Sequence, residues 1–422
     1  MKLPVLILFV AMYVVMIAKP DIRTYVALVV AAVVCALGAV PLDQILDAID
    51  FNVLLMIGGT MVVVDYFIES KMPNRIAEGI LTHSKNVRAV IIYMSLFAGI
   101  VSAFIDNVAT VLMIAPVGLA ICKKLKINPV GMLLAIAVSS NLQGAATLVG
   151  DTTSIMLGAY ADMDFMSFFW MNGRPGIFWA VELGAAATVL VLLVLFRDQK
   201  DPVSADAHTA VESVFPTVML VGIVVTLIAA SFIPNKPALT NGIICCAYAI
   251  VSMIYDLLRS RSAKGLGHAL KSVDFQTILL LTGLFVVIRA LENVGIIDAV
   301  AGFIARLGGG NLFLLYTAIV WLSVAISAFV DNIPYVATML PVVQGVAASM
   351  GIQPYLLYFG LLSGATLGGN LTPVGASANI TATAILRREG CEVSARDFAR
   401  IGVPLTLTAV TVGYVFLWLT WK

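Results

Sequence analysis

From Gly176 to Phe196 the chain reads GIFWAVELGAAATVLVLLVLF, 21 residues with one formal charge, at Glu182. Wound as an α-helix, such a run is about 30 Å long, which matches the hydrocarbon core of a bilayer. A helix that is apolar all round has no face to offer to water, so it is either deeply buried or surrounded by lipid. Similar runs recur along the whole chain, of which 61% is hydrophobic and only 12% charged, about half the charge of a soluble domain. The chain is therefore expected to be an all-α integral membrane protein. Strand-length alternation of the outer-membrane barrel kind is missing from the sequence. The first run, PVLILFVAMYVVMIA, reads as a span and not as a removable signal peptide.

Sliding the chain against itself exposes a repeat. SAFIDN at Ser102 to Asn107 returns as SAFVDN at Ser327 to Asn332, 225 residues later. The same offset aligns Pro116 with Pro341, Pro129 with Pro354, Gly144 with Gly369, Thr147 with Thr372 and Gly150 with Gly375. An offset of 224 aligns IDFNVLLMIGG at Ile49 with VDFQTILLLTG at Val273. Two homologous halves follow, 1–196 and 214–422, joined by a linker at 197–213. Spans are predicted at about 4–18, 24–42, 51–68, 89–121, 129–160 and 176–196. In the second half they fall at about 214–233, 239–258, 275–292, 297–307, 312–346, 354–386 and 401–421.

The Asp-Asn pair interrupts the run at 89–121, and glycines break the run at 129–160. If the first is a re-entrant hairpin and the second crosses, each half makes about five crossings and the halves must be inverted. Positive charge favours the cytoplasmic side, and on this topology 19 of the 25 lysines and arginines fall on one side. That side carries Lys71, Arg88, Arg259, Lys271 and the linker, and the other Lys2, Arg174, Lys236, Arg289, Arg306 and Lys422. Both termini are then expected outside the cytoplasm, with the protein in the cytoplasmic membrane.

Inverted repeats with helices broken near mid-membrane are the usual build of secondary transporters, whose sites lie where the breaks meet. Four breaks are present: the hairpin tips beginning at Ser102 and Ser327, NLQGAATLVGDTTS at Asn141, and SGATLGGNLTPVGASAN at Ser363. An aspartate at the bilayer centre costs about 2.5–3.5 kcal/mol on insertion scales, so Asp106 and Asp331 are expected to bind a proton or cation or to cap the helix that follows. Asn107, Asn332, Thr110, Thr147, Thr372, Asn370, Ser377 and Asn379 offer neutral oxygens to a dehydrated ion, and Gly150 and Gly375 let the backbone leave helical geometry. Asp151 joins the first break, but its counterpart is Ala376, so the halves are chemically unequal. Glu182, facing Leu407 in register, is a weaker candidate, and Asp65, aligned with Arg289, reads as structural.

Other chemistry finds little support. A net charge of +1 argues against nucleic acid as a partner. Cys35, Cys122, Cys245, Cys246 and Cys391 lack ligand spacing and read as small hydrophobes, while His83, His208 and His268 read as loop residues. Walker-type glycines and a Ser/His nucleophile arrangement are missing, so an enzyme is disfavoured. No cofactor is expected beyond a coupling Na⁺ or H⁺.

The motifs SAFIDNVATVLMIAPV, GAATLVGDTTSI, SAFVDNIPYVATMLPV and LGGNLTPVGASANI resemble the paired signatures of the ion transporter superfamily, in particular its branch of melanosomal P proteins, arsenite permeases and sodium/proton antiporters, with a citrate-transporter-like domain. The resemblance implies an elevator mechanism, with a transport domain from about 89–160 and 312–386 moving against a scaffold, and a homodimer in lipid. It leaves a separate ATPase subunit open. Where the dicarboxylate branch carries Ser-Asn-Thr at its tips, this chain has Asp106-Asn107-Val108 and Asp331-Asn332-Ile333, which opposes a polyanionic cargo. The expected function is Na⁺- or H⁺-coupled secondary transport, with sodium/proton antiport preferred, an anion or metalloid permease as the alternative, and a channel less favoured. In a cysteine-free variant, a membrane-impermeant thiol reagent applied to intact cells should label a cysteine at Gly173 and spare one at Gln199; the reverse pattern would overturn the predicted orientation.

Overall fold

A computed structural model describes residues 1–203, 209–261 and 264–422. Ten helices build the first half: α1 (Lys2–Ala18), α2 (Arg23–Ala36), α3 (Ile45–Ala48), α4 (Phe51–Glu69), α5 (Met72–His83), α6 (Val87–Ser102), α7 (Asn107–Leu125), α8 (Val130–Gln143), α9 (Thr152–Tyr160) and α10 (Ile177–Leu195). Ten more build the second: α11 (Phe215–Ala230), α12 (Thr240–Ser260), α13 (Lys264–Ser272), α14 (Phe275–Asn293), α15 (Ile296–Leu307), α16 (Leu312–Ser327), α17 (Asn332–Met350), α18 (Tyr355–Gly368), α19 (Ser377–Arg388) and α20 (Ala395–Trp421). A two-residue β-hairpin pairs Trp170–Met171 with Arg174–Pro175. Among the described residues, seven helices are long and apolar enough to cross a membrane alone, and the shorter apolar helices α1, α6, α8 and α11 join them.

The helix starts use the same chemistry in both halves. Asp50 and Asp274 accept N–H bonds from Val53 and Thr277 to begin α4 and α14. Asn86 and Asn311 do the same for α6 and α16 through Ala89 and Leu314. A helix leaves its first N–H groups without intrahelical partners, and no water in lipid satisfies them, so a side chain must. The duplicated caps explain why the repeat survives most clearly at element boundaries. The predicted span at 24–42 ends earlier than expected, because Gly38 takes a positive φ of 74° just beyond α2. The predicted segments at 297–307 and 312–346 turn through 118° between α15 and α16, so α15 does not continue the span.

Packing exchanges helices between halves. α2 packs on α14, and its counterpart α12 packs on α4. Both crossings close on a glycine: a Cβ at Gly59 would lie 2.6 Å from the Cys245 carbonyl carbon, and one at Gly283 would lie 2.9 Å from that of Ala27. Small residues allow this backbone approach, which in lipid supplies dispersion contact where no hydrophobic force is available. The last helices, α10 and α20, pack together with Gly184 against the Ala409 backbone.

The linker lies along the basic end of the bundle. Val87 and Arg88 donate backbone N–H bonds to Asp201 and Gln199, and Lys71 pairs with Glu212 at 2.6 Å. The Lys71 ammonium holds the exposed Glu212 carboxyl below the usual carboxylate range. Gly59→Ala should destabilise the protein by about 1–3 kcal/mol, because the Cys245 backbone has nowhere to go. Thermal unfolding in detergent checks this, with Gly79→Ala in open space as the control expected to change little.

Candidate functional site

Each half breaks its helices in the same way. Ala103 to Asp106 link α6 to α7, and Ala328 to Val330 with Asp331 link α16 to α17. After α8 and α18 a single 3₁₀ turn leads to an extended threonine, Thr147 at φ −129° and Thr372 at φ −132°. Those threonines staple the breaks to the tips: Thr147 Oγ1 donates to the Ala103 carbonyl and Thr372 Oγ1 to that of Ala328. Gly150 and Gly375 make the close approach feasible. A Cβ on Gly150 would stand 2.5–2.8 Å from the Gly144, Ala103 and Ser102 carbonyl oxygens, and one on Gly375 would stand 2.6–2.9 Å from those of Gly369, Ala328 and Ser327. Thr147, Thr372, Gly150 and Gly375 therefore hold the breaks against the tips.

The two aspartates at the tips both cap. Asp106 Oδ1 accepts from the Val108 and Ala109 N–H groups at 2.9 and 3.2 Å, and Asp331 Oδ1 from Ile333 at 3.0 Å. Their second oxygens differ. Asp331 Oδ2 receives the Arg23 guanidinium at 2.6 Å, with Ser377 Oγ at 3.5 Å, whereas among the described residues no cationic side chain pairs with Asp106. Asp151 is the most enclosed of the acids among the described residues, 3% exposed. Thr153 Oγ1 and Asn332 Nδ2 donate to its Oδ2 at 3.0 and 3.3 Å, so its partners are neutral and one comes from the other half.

Behind these groups runs a chain of amides across the halves. Asn107 Nδ2 donates to Asn141 Oδ1 at 2.7 Å, Asn141 Nδ2 to Asn370 Oδ1 at 3.0 Å, and Asn379 Nδ2 to the same oxygen at 3.1 Å. Asn370 Nδ2 ends on the Val138 carbonyl at 3.2 Å. Four buried oxygens at the breaks, Ser102 Oγ, Gln143 Oε1, Ser363 Oγ and Asn379 Oδ1, have no partner among the described residues. Ser327 Oγ, by contrast, donates to the Ala365 carbonyl, and Thr110 Oγ1 turns back to that of Ile105 at 3.4 Å.

A cavity of about 380 Å³ reaches this centre. Of the predicted residues, Asp106, Asn107, Asp151, Asn332 and Ser377 line it; Arg23, Asp274, Asp65 and Thr60 line it too. Asp331 does not line it: its second oxygen meets Arg23, a cation from 308 residues away in the chain. A second cavity of about 620 Å³ opens at the opposite end of α4, around Asp50, Asp162, Lys236 and Arg289, without reaching Asp106 or Asp151.

Two lesser readings also change. His83 closes α5 and His268 lies within α13, so neither is a loop residue; α13 (KGLGHALKS) is too short and glycine-rich to show its helix in sequence. His208 lies outside the described residues. His268 Nδ1 meets Asp65 at 3.1 Å and Glu69 at 3.2 Å, which gives Asp65 a local partner at the cavity rim. Glu182 is half-buried on α10 and lines neither cavity.

Comparison with known proteins now decides the family. The model of the CitMHS family, described as citrate transporter, matches residues 11–362. The chain belongs to that family. An uncharacterized transporter of Mycobacterium bovis is 33% identical over 98% of this chain and 97% of its own length. The human P protein is 24% identical over 93% of this chain, which spans 56% of that protein. In fold, the chain is similar to the YdaH transporter of Alcanivorax borkumensis, with a TM-score of 0.61 at 15% identity over 89% of this chain and 86% of that one. It is also similar to MtrF of Neisseria gonorrhoeae, with a TM-score of 0.55 at 14% identity over 87% and 80%. The chain is a multi-pass membrane transporter and not an enzyme.

Sequence reading missed Arg23, Asn141, Thr153 and Asp274. Asn141 stood in a quoted break and could have been found there; Arg23 carried no local signal. Asn141→Leu removes the link between Asn107 and Asn370 and leaves buried amides unpaired, at about 1–3 kcal/mol for each. Its melting temperature in detergent should fall, and transport with it, whereas Gln353→Leu, exposed just before α18, should leave both near wild type.

Proposed function

We propose that this transporter is secondary active and coupled to Na⁺ or H⁺, with Asp151 and Asp106 carrying the coupling cation and sodium/proton exchange as the preferred form. The observation that carries the reading is Asp151: a carboxylate 3% exposed, at the meeting of both breaks, held by neutral donors alone. A buried carboxylate without a counter-charge is costly to ionise, so it takes up a proton or a dehydrated cation. Asn332 orients Asp151, and the free oxygens of Ser102 and Asn379 suit a cation that has shed its water.

The cavity that reaches Asp151 passes Asp65 and Ser272, beside the basic residues Lys71 and Lys271. If those residues face the cytoplasm, this conformation is open inward. The second cavity then marks the route to the other side, and the elevator reading supplies the motion: hairpins and broken helices at 89–160 and 312–386 shift against the remaining spans.

A second reading has its own support. The family description names citrate, and the N-termini of α9 and α19 point N–H groups into the breaks, as an anion would require. Against a trivalent anion stand Asp106, Asp151 and Asp274 in the cavity wall, with Arg23, the basic residue there, already engaged. A carboxylate cargo therefore needs accompanying cations, which the same site would supply.

Proteoliposomes enclosing a pH dye test the assignment. A Na⁺ or proton gradient should drive coupled flux in wild type, and Asp151→Asn should abolish it while the variant still elutes as a folded species. Coupled flux that survives both Asp151→Asn and Asp106→Asn would refute the assignment.

A further inference from the structure

The two halves hold their tip aspartates differently, and the difference lies outside both tips. Arg23 opens α2 and reaches Asp331 Oδ2 at 2.6 Å, with both side chains about three-quarters or more buried. The counterpart of α2 is α12, which carries no basic residue before Arg259, near its far end. Among the described residues, Asp106 thus lacks the cation that Asp331 has.

We propose that Arg23 is a tethered competitor of Na⁺ at Asp331, so that Arg23 and a Na⁺ ion exclude each other there. The inference rests on the reading of the site as cation-binding. Asp331 has one oxygen committed to the α17 cap through Ile333, and only Oδ2 remains for a cation. That oxygen cannot accept a guanidinium at 2.6 Å and a Na⁺ ion in the same place. Arg23 sits on a different element from the hairpin it holds, and Tyr13 on α1 adds a second tie, to the Pro334 carbonyl at 2.5 Å and Thr338 at 2.6 Å. On the elevator reading these ties join scaffold to transport domain, and Na⁺ binding at Asp331 releases the stronger one. Ser377 Oγ, 3.5 Å from Asp331 Oδ2, and the cavity-lining Asn332 stand ready as neutral ligands once Arg23 withdraws.

Two other roles for Arg23 give different results. As a ligand for an anionic cargo, its loss would weaken cargo binding and leave Na⁺ binding alone. As a structural pair only, its loss would lower stability without any gain in Na⁺ affinity, since removing one partner of a buried pair strands the other.

The full chain in detergent, titrated with NaCl at constant ionic strength using choline, distinguishes them through Na⁺-dependent thermal stabilisation. Arg23→Gln should strengthen half-saturation by Na⁺ on the order of tenfold or more, the effect of removing a competing unit charge at contact. Arg23→Lys should stay near wild type. The double variant Arg23→Gln with Asp331→Asn should lose the gain while regaining stability, because no unpaired charge is left; it also guards against a single variant that fails to fold. Unchanged or weaker Na⁺ affinity in Arg23→Gln, or a gain that persists in the double variant, overturns the proposal. Asp151→Asn in the same assay separates the two readings: a Na⁺ response abolished there, with no gain in Arg23→Gln, sinks the competitor alone, whereas a response that survives Asp151→Asn and is lost in Asp331→Asn refutes Asp151 as the cation's holder and supports Asp331.

Discussion

Everything at the centre of this protein depends on satisfying backbone that has left helical geometry inside a membrane. Lipid offers no hydrogen bonds, so non-helical backbone survives at that depth only where protein or a water-filled cavity meets it. Here the solution is local and made twice. Thr147 and Thr372 anchor each broken helix to the carbonyl of the neighbouring hairpin tip, while Asp106 and Asp331 accept the first N–H groups of α7 and α17. Gly150 and Gly375 then let three carbonyls from two segments converge where any side chain would clash. With those bonds in place the breaks become rigid enough to hold a site.

The same requirement explains what sequence could reveal. Caps and breaks need particular residues at particular places in the chain, so they recur at a fixed offset of 225 and are visible as a repeat. The apolar runs, the four breaks and the tip aspartates could be read for that reason. The elements that could not be read are those set by three-dimensional neighbours. Arg23 meets Asp331 across 308 residues, Asn141 meets Asn370 across 229, and Asn332 meets Asp151 across 181. No periodicity encodes such pairs, and each is a contact between halves, which a repeat aligned within the chain does not describe.

Several residues picked for ligand chemistry have a different physical task. Thr147, Thr372, Gly150 and Gly375 match between the halves because both halves need the same scaffold, and identity between repeats marks that need. Several of the polar groups that meet at the centre are instead ones that differ between the halves. Asp151 faces Ala376 in register, Asn370 faces Ala145, and Asn379 faces Ser154. Difference between the repeats is therefore the better guide to the chemistry of the site, and sameness the better guide to its architecture.

That division has an electrostatic consequence. Two identical halves would place equal carboxylates about one centre, and their mutual repulsion would fall on both alike. This chain instead neutralises Asp331 with Arg23, leaves Asp106 at the cavity wall, and adds Asp151 deeper on the same side of the register. The acids without a cationic partner thereby gather at the first half's tip, where Asn332 from the second half donates to Asp151. Asp65, Asp106 and Asp151 line one cavity, and of the three Asp151 is buried, at 3% exposure. The repeat supplies two similar tips, and the differences at Arg23 and Asp151 give them unequal surroundings.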